Sequence, residues 1–452
     1  MASRGAWSSK IGFILAGAGS AIGLGAIWRF PYITGANGGA VFVLVFLVCC
    51  LLIGLPVMIA EFTLGRHTEK NPMGMFRALR DKPLWRFVGG LCVLSGFVIF
   101  AWYSVIAGWV VGYLYHAVVG TFNTVQGAET GAFFTRFASD AFWVSFLHFL
   151  VILGTAFVVI RGIKEGIETL SKWLMPVLFV LLILLAVRSV TLPGAGAGLE
   201  FYLKPDWSKF SGKMFLAAMG QAFFSLSLGM GTMATYASYL SKKENIAVSA
   251  AWITSFEVLI SLIAGLVILP AVSAMGASYT EGPRLIFVVL PSIFGTMPMG
   301  YLFGVGFFIL VIIAALTSTV SMLEVPVAYF VDERKWTRRN AVLFVALVSF
   351  LIGTPAAMAH GASSWLSNLP VLHTDFFTVI STVFGDISLS IGAFFIAVFA
   401  GWVWGTRKAV EEITLEGNTF RLAGLWSFLI RYVAPVTIAI IFANVVWTLV
   451  AG

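Results

Sequence analysis

Charge is what this chain has least of. Only 11% of its 452 residues are Asp, Glu, Lys or Arg, while 60% are hydrophobic and the mean hydropathy is +0.97. That balance excludes a soluble globular domain, where about a quarter of residues are charged. Cysteine is scarce as well. Cys49, Cys50 and Cys92 fall inside apolar runs and read as small buried hydrophobes, not as a disulfide framework or a metal cluster. The five histidines have no ligand spacing, and no nucleotide-binding motif occurs, which excludes a primary pump. No Ser–His or paired-Asp arrangement lies at matching depth, and Gly19-Ser20-Ala21 lacks a histidine partner, which argues against an intramembrane enzyme. The net charge of +8 does not mark a nucleic-acid partner, because the basic residues lie in short loops between apolar runs.

What is present is long apolar segments. They are continuous rather than alternating over ~10 residues, which excludes an outer-membrane barrel. A span needs ~20 apolar residues, and eleven are expected: 10–33, 40–63, 87–120, 141–160, 167–190, 214–240, 246–275, 298–330, 340–358, 377–404 and 424–450. The first run, starting near Ile11, has no small-residue cleavage site behind it and is kept as a span rather than a signal peptide. Six basic residues (Arg136, Arg188, Lys204, Lys209, Lys213, Arg284) fall in one alternating set of loops, and Arg29 lies within span 1. The rest belong to the N-terminus and the opposite loops. The N-terminus is therefore expected in the cytoplasm and the C-terminus outside, in a cell (inner) membrane. The outer stretch Tyr279 to Pro298 reads as a pair of short helices over the outer face.

Spans 1 and 6 are interrupted. Span 1 contains Gly17, Gly19, Gly23 and Gly25, followed by Trp28-Arg29-Phe30-Pro31; span 6 contains Ser225-Leu226-Ser227-Leu228-Gly229-Met230-Gly231. Each interior glycine costs a helix roughly 1 kcal/mol relative to alanine. Backbone freed at mid-membrane is tolerated only where it lines a cavity. Close packing between helices is the other use of such glycines. Interruptions at matching positions five spans apart point instead to the midplane site of a transporter built from two repeats. The expected fold is an all-α polytopic membrane protein: two inverted five-helix repeats, 10–190 and 214–404, with helices 1 and 6 broken. Residues 1–9 form a cytoplasmic gate segment, 191–213 an outer loop, 405–423 a cytoplasmic loop and 424–452 an extra eleventh span.

These residues resemble the neurotransmitter:sodium symporter family, the sodium-coupled amino-acid and amine transporters, in its bacterial eleven-span form. The resemblance covers nearly the whole chain. It rests on Trp7-Ser8-Ser9-Lys10-Ile11-Gly12, Gly23-Leu24-Gly25, Trp28-Arg29-Phe30-Pro31, Asn37-Gly38-Gly39, Pro56 with Glu61 and Gly65-Arg66, Tyr236-Ala237-Ser238-Tyr239 and Leu316-Thr317-Ser318.

The resemblance implies one sodium site from the carbonyls of Gly19, Ile22 and Ala314 with the hydroxyls of Thr317 and Ser318. Back-bonding of the two hydroxyls to the preceding turn is the competing reading. A second site would use Ala21, Ser225 and residue 257, and here the chain departs from the family: Ala26 and Glu257 stand where side-chain amides are usual. Glu257 ligates sodium, carries a proton, or pairs with a basic group on the substrate; a carboxylate at that depth is by default functional. One or two sodium ions are implied. Chloride is not expected: relatives that need it use a tyrosine where this chain has Phe46, although Gln221, Ser225 and Ser261 remain.

For the substrate, Gly23 leaves room for a carboxylate that Tyr103 and the free amides near Leu24 and Gly25 would bind. Carbonyls around Phe224 and Ser227 would take an ammonium. Ile22, Ile99, Phe224, Met230, Ser318 and Met322 would hold an apolar or sulfur-containing side chain, the two methionines repacking as needed. Arg29 with Phe224 and Tyr103 would close the outer side. A count without gaps back from Gly405 makes Ser381 the partner position of Arg29, with Asp375 and Asp386 out of register. Arg4, Trp7, Tyr239, Glu324 and Asp332 would close the inner side, Arg4 pairing with Asp332. Gates on both faces argue against a channel. The expected function is sodium-coupled uptake of an amino acid, most simply a hydrophobic one, by alternating access, in a monomer or dimer. The alternative is uptake of a small non-standard zwitterion or amine, with one sodium and/or a proton coupled through Glu257.

Overall fold

A backbone in hydrocarbon has no water to satisfy its N–H and C=O groups, so the apolar runs fold as helices. The computed structural model describes residues 5–451 apart from 128, 277, 280–284 and 371, and among these it contains helices and connecting turns with no strand. Among the described residues nine helices are long and apolar enough to cross a membrane: Ala40–Thr68, Pro83–Val118, Ala141–Ile160, Ile163–Val190, Ile246–Ala274, Gly300–Arg334, Arg338–Met358, Phe376–Val403 and Ala423–Ala443. They are spans 2–5 and 7–11. Span 1 is a pair, Lys10–Ala21 and Gly25–Ala36, bent by 49°. Span 6 is also broken, into Gly212–Ser225 and Thr232–Ala237; both pieces are too short to cross alone.

The breaks have local causes. The Ile22 amide closes the first half of span 1 on the Ala18 carbonyl at 2.6 Å. Ile22 then leaves helical geometry with φ −81° and ψ 74°. In span 6, Ser227, Gly229 and Gly231 all have positive φ, at 53°, 89° and 75°. Left-handed residues cannot continue a right-handed helix, and two of the three are glycines for that reason. Span 10 presses against this break: a side chain on Gly229 would meet the Leu389 backbone, and one on Gly392 would meet the Gly229 carbonyl. The amides freed at the start of the second half find an acid. Glu61 of span 2, fully buried, accepts from Gly229 N at 2.8 Å and Ala234 N at 3.3 Å. A carboxylate at a helix N-terminus satisfies orphan donors and opposes the helix dipole.

The first half of span 1 packs among spans 5, 7 and 8, and span 8 lies along span 3. Gly19 allows the approach to span 8, since a Cβ there would sit 3.1 Å from Thr317 Cβ. The outer stretch contains one short apolar helix, Leu285–Thr296, among its described residues, rather than the pair expected. It joins an aromatic layer in which Phe287 meets Trp28, Trp109 and Tyr113.

Candidate functional site

The two breaks face one another across a cavity of about 20 Å³, lined by Ser20, Ala21, Gly23, Gly25, Ile99, Tyr103, Phe224, Ser227, Met230, Ser318, Met322 and Leu389. That volume holds about one water, not an amino acid, so the walls must part for any larger occupant. Two of them are methionines, which repack at low cost.

At its polar end the Leu24 amide donates to the Tyr103 hydroxyl at 2.8 Å. Gly23 lies beside this pair; a Cβ on it would come within 2.6 Å of the Tyr103 oxygen and collide with Ser318 Oγ. The unwound backbone of the two spans is cross-linked by serines. Ser227 Oγ donates to the Ser20 carbonyl at 2.9 Å, and Ser318 Oγ reaches the carbonyls of Ser20 at 3.1 Å and Gly19 at 3.4 Å. Thr317 Oγ1 instead donates to the Ile313 and Ala314 carbonyls, both at 3.1 Å. Ser318 thus crosses between spans, and Thr317 back-bonds. Carbonyls and hydroxyls gathered without a charged group are the hard, neutral donors an alkali ion takes. Among the described residues no cluster of three His, Cys, Asp or Glu is placed to hold a metal.

A second polar group lies on span 7. Glu257 is 0% exposed; its Oε1 accepts from Ser261 Oγ at 2.7 Å and its Oε2 has no partner. Ser225 borders the same carboxyl. Gln221 Nε2 bonds Ser225 Oγ and the Gly25 carbonyl, each at 2.8 Å, while Gln221 Oε1 has no partner.

On the outer side the Arg29 guanidinium lies 4.6 Å from the Phe224 ring centre and pairs with Asp386 at 3.2 Å. Beyond Phe224 the space widens into cavities of about 170 Å³, lined by Trp28, Tyr32, Trp102 and Phe377, and about 320 Å³, lined by Asn37, Lys213 and Ile441; Arg29 and Asp386 border both. On the inner side Trp7 Nε1 donates to the Tyr236 carbonyl at 2.9 Å, and the rings meet edge to face. Tyr239 donates to Glu324 at 2.8 Å, and Glu324 is paired with Arg338. Ser8 and Ser9 bind Glu168, at 2.6 and 2.9 Å between side chains.

The sequence pattern of the sodium:neurotransmitter symporter family matches residues 4–128 and 142–451. The chain belongs to the sodium:neurotransmitter symporter family. It is similar to MhsT, whose crystal structure is in complex with L-phenylalanine: 41% identity, TM-score 0.90, covering 98% of this chain and 100% of that one. Among curated relatives it is 37% identical to the uncharacterized sodium-dependent transporter YhdH of Bacillus subtilis, covering 97% of both chains, and 33% identical to an uncharacterized sodium-dependent transporter of Haemophilus influenzae, covering 98% of both. This is a multi-span membrane protein and a sodium-dependent symporter, not an enzyme.

Of the substrate residues expected from the symporter resemblance, Gly23, Gly25, Ile99, Tyr103, Phe224, Ser227, Met230, Ser318 and Met322 line the central cavity. Ile22 and Leu24 do not; Ile22 is fully buried, and Leu24 faces the outer cavity. Ser20 and Leu389 line it and were missed. Ser20 was legible as the neighbour of Gly19, whereas Leu389 carried no motif.

One gate expectation needs correction. Ser381 is not the partner of Arg29: its hydroxyl donates to the Thr378 carbonyl at 3.1 Å, and Asp386 holds the arginine. A gapless count back from Gly405 lands on Ser381, but Thr382–Ile387 is π-helical, so residues five apart stack on one face, and Ser381 and Asp386 border the same cavity. Glu324 is held by Arg338, which no motif announced. Asp332 accepts from Asn71 N at 3.0 Å and Nδ2 at 3.2 Å; Arg4, its expected partner, lies outside the described residues.

Proposed function

We propose that this symporter takes up a hydrophobic amino acid with sodium by alternating access. The observation that carries the reading is the Tyr103 hydroxyl meeting the Leu24 amide at 2.8 Å, at one end of a cavity whose walls also include Ile99, Met230, Met322 and Leu389. There a carboxylate finds a phenol and the N-terminus of the second half of span 1. The Phe224 and Ser227 carbonyls receive the ammonium, and Ile99, Met230, Met322 and Leu389 the side chain. MhsT with its L-phenylalanine supports the substrate class.

One sodium ion is held by the carbonyls of Gly19, Ile22 and Ala314 with Thr317 and Ser318; the crossing of Ser318 Oγ to span 1 supports this set. A second cation site uses Ala21, Ser225 and Glu257. A buried carboxyl with one unpartnered oxygen supplies the oxygen that Ala26 lacks, and with it the negative charge that makes chloride unnecessary. The same carboxyl favours a second reading, in which Glu257 takes a proton or the amine of a small zwitterion and only one sodium binds. The N-terminus is cytoplasmic, the two halves of the fold are inverted repeats, and the protein works as a monomer or dimer.

A thermal-shift screen of purified protein against amino acids, in Na⁺, K⁺ or choline at two pH values, tests this. Stabilisation by a hydrophobic amino acid only in sodium is expected; none by any amino acid refutes the reading. In Glu257→Gln, loss of sodium dependence supports ligation. Retained binding without pH dependence supports the proton.

A further inference from the structure

Below the central cavity a line of buried polar groups descends one face of span 8 toward the inner gate. Ser318, Ser321 and Glu324 are each three residues apart and all buried, a spacing that stacks side chains on one helix face. Ser20, at the break of span 1, donates its hydroxyl to Ser321 Oγ at 2.8 Å. Ser321 Oγ donates its own proton to the Ser318 carbonyl at 2.8 Å. A hydroxyl has one proton and two acceptor sites, so one lone pair of Ser321 is left.

The Tyr236 hydroxyl stands against that oxygen without closing a well-formed hydrogen bond to it. Tyr236 is 1% exposed. Three residues on, Tyr239 donates to Glu324 at 2.8 Å, so the inner gate begins one turn below Tyr236. The Tyr236 carbonyl already holds Trp7. An unpaired buried hydroxyl is costly, and this one lies between two acceptors one helical turn apart on span 8: Ser321 beside it on the side of the cavity, and Glu324, already bonded by Tyr239 three residues on, on the side of the gate. It has one proton and cannot serve both.

We propose that the Tyr236 hydroxyl is the coupling element between the sodium-binding break and the inner gate, with Ser321 as a positioning residue that acts through it. Donating to Ser321, it ties the inner half of span 6 to Ser20 and so to the broken segment of span 1. Donating to Glu324, it joins the gate and releases that tie. Ions bound at the break fix Ser20, whose carbonyl is already gripped by Ser227 and Ser318, and so favour the first arrangement. The coupling concerns sodium and is independent of which amino acid is carried.

The test is hydrogen–deuterium exchange on the full-length protein in lipid nanodiscs, in sodium or choline chloride, with melting temperature measured alongside. In the unmodified protein sodium should slow exchange in the segments carrying Trp7 and Tyr239. Tyr236→Phe and Ser321→Ala should each keep the rise in melting temperature caused by sodium yet lose the exchange response, and the double variant should lose no more. An unchanged sodium response in either variant, or effects that add in the double, would overturn the proposal. So would faster exchange to the same degree in both salts, the mark of a merely structural role, or an unmodified protein indifferent to sodium. If Tyr236→Phe does not fold, Ser321→Ala decides alone.

Discussion

At the residue scale, the missing methyl group of Gly23 keeps the polar end of the cavity clear. Gly23 has Tyr103 and Ser318 oxygens where a Cβ would stand. Gly23→Ala should therefore leave the fold intact and weaken amino-acid binding at least about tenfold, on the order of 1.4 kcal/mol, because the methyl group displaces the Tyr103 hydroxyl from the Leu24 amide. Isothermal titration in sodium measures it; unchanged affinity would place the carboxylate elsewhere. The site residues on the two glycine-rich breaks were legible because glycine and serine in an apolar span have few other uses. Leu389 was not legible: one leucine on a leucine-rich span faces lipid, core or cavity according to packing alone.

At the element scale, the breaks are held open by groups from other helices. Glu61 supplies acceptors to Gly229 and Ala234, and charge-assisted bonds of this kind contribute about 1.5–3 kcal/mol each. Glu61→Gln should lower the melting temperature by several degrees and abolish transport, while Glu61→Asp should recover part of both. A melting temperature equal to that of the unmodified protein would sink this account. A second element-scale effect lies where span 10 begins. His360 packs edge-on between Trp109 and Phe377, its Nε2 buried without a partner. Burial holds its pKa below the ordinary 6.5, against the opposing pull of Asp375. The unfolded chain then takes up the proton more readily, so this contribution to stability is complete above about pH 6.5 and lost as the pH falls below it. Melting temperature measured from pH 7.5 to 5 should decline less steeply in His360→Gln. Parallel curves would show that another group dominates.

At the scale of the whole molecule, two barriers of different depth enclose the site. Outward there is a ring, one arginine and one ion pair, with side chains 23% and 43% exposed. Inward there are Trp7, Tyr236 and the Glu324–Arg338 pair, with the N-terminal segment strapped to Glu168. A partly exposed pair of this kind contributes little, on the order of 1 kcal/mol, which suits a contact that must open. Asp386→Asn should accordingly change the melting temperature little but speed release of the proposed hydrophobic amino acid severalfold; an unchanged release rate would mean that Phe224 alone is the barrier.

The amino-acid sequence by itself determined the membrane, most of the spans and the position of both breaks. Each follows from the cost of placing charge, glycine or unpaired backbone in hydrocarbon, and that cost is written residue by residue. The tertiary structure alone decided which partners Arg29 and Glu324 take. Asp386 rather than Ser381 meets Arg29 because the π-turn at Thr382–Ile387 brings position 386 onto the face of position 381, and Arg338 meets Glu324 because spans 8 and 9 are packed side by side. Register and packing are properties of helices against helices, and no local run of residues encodes them.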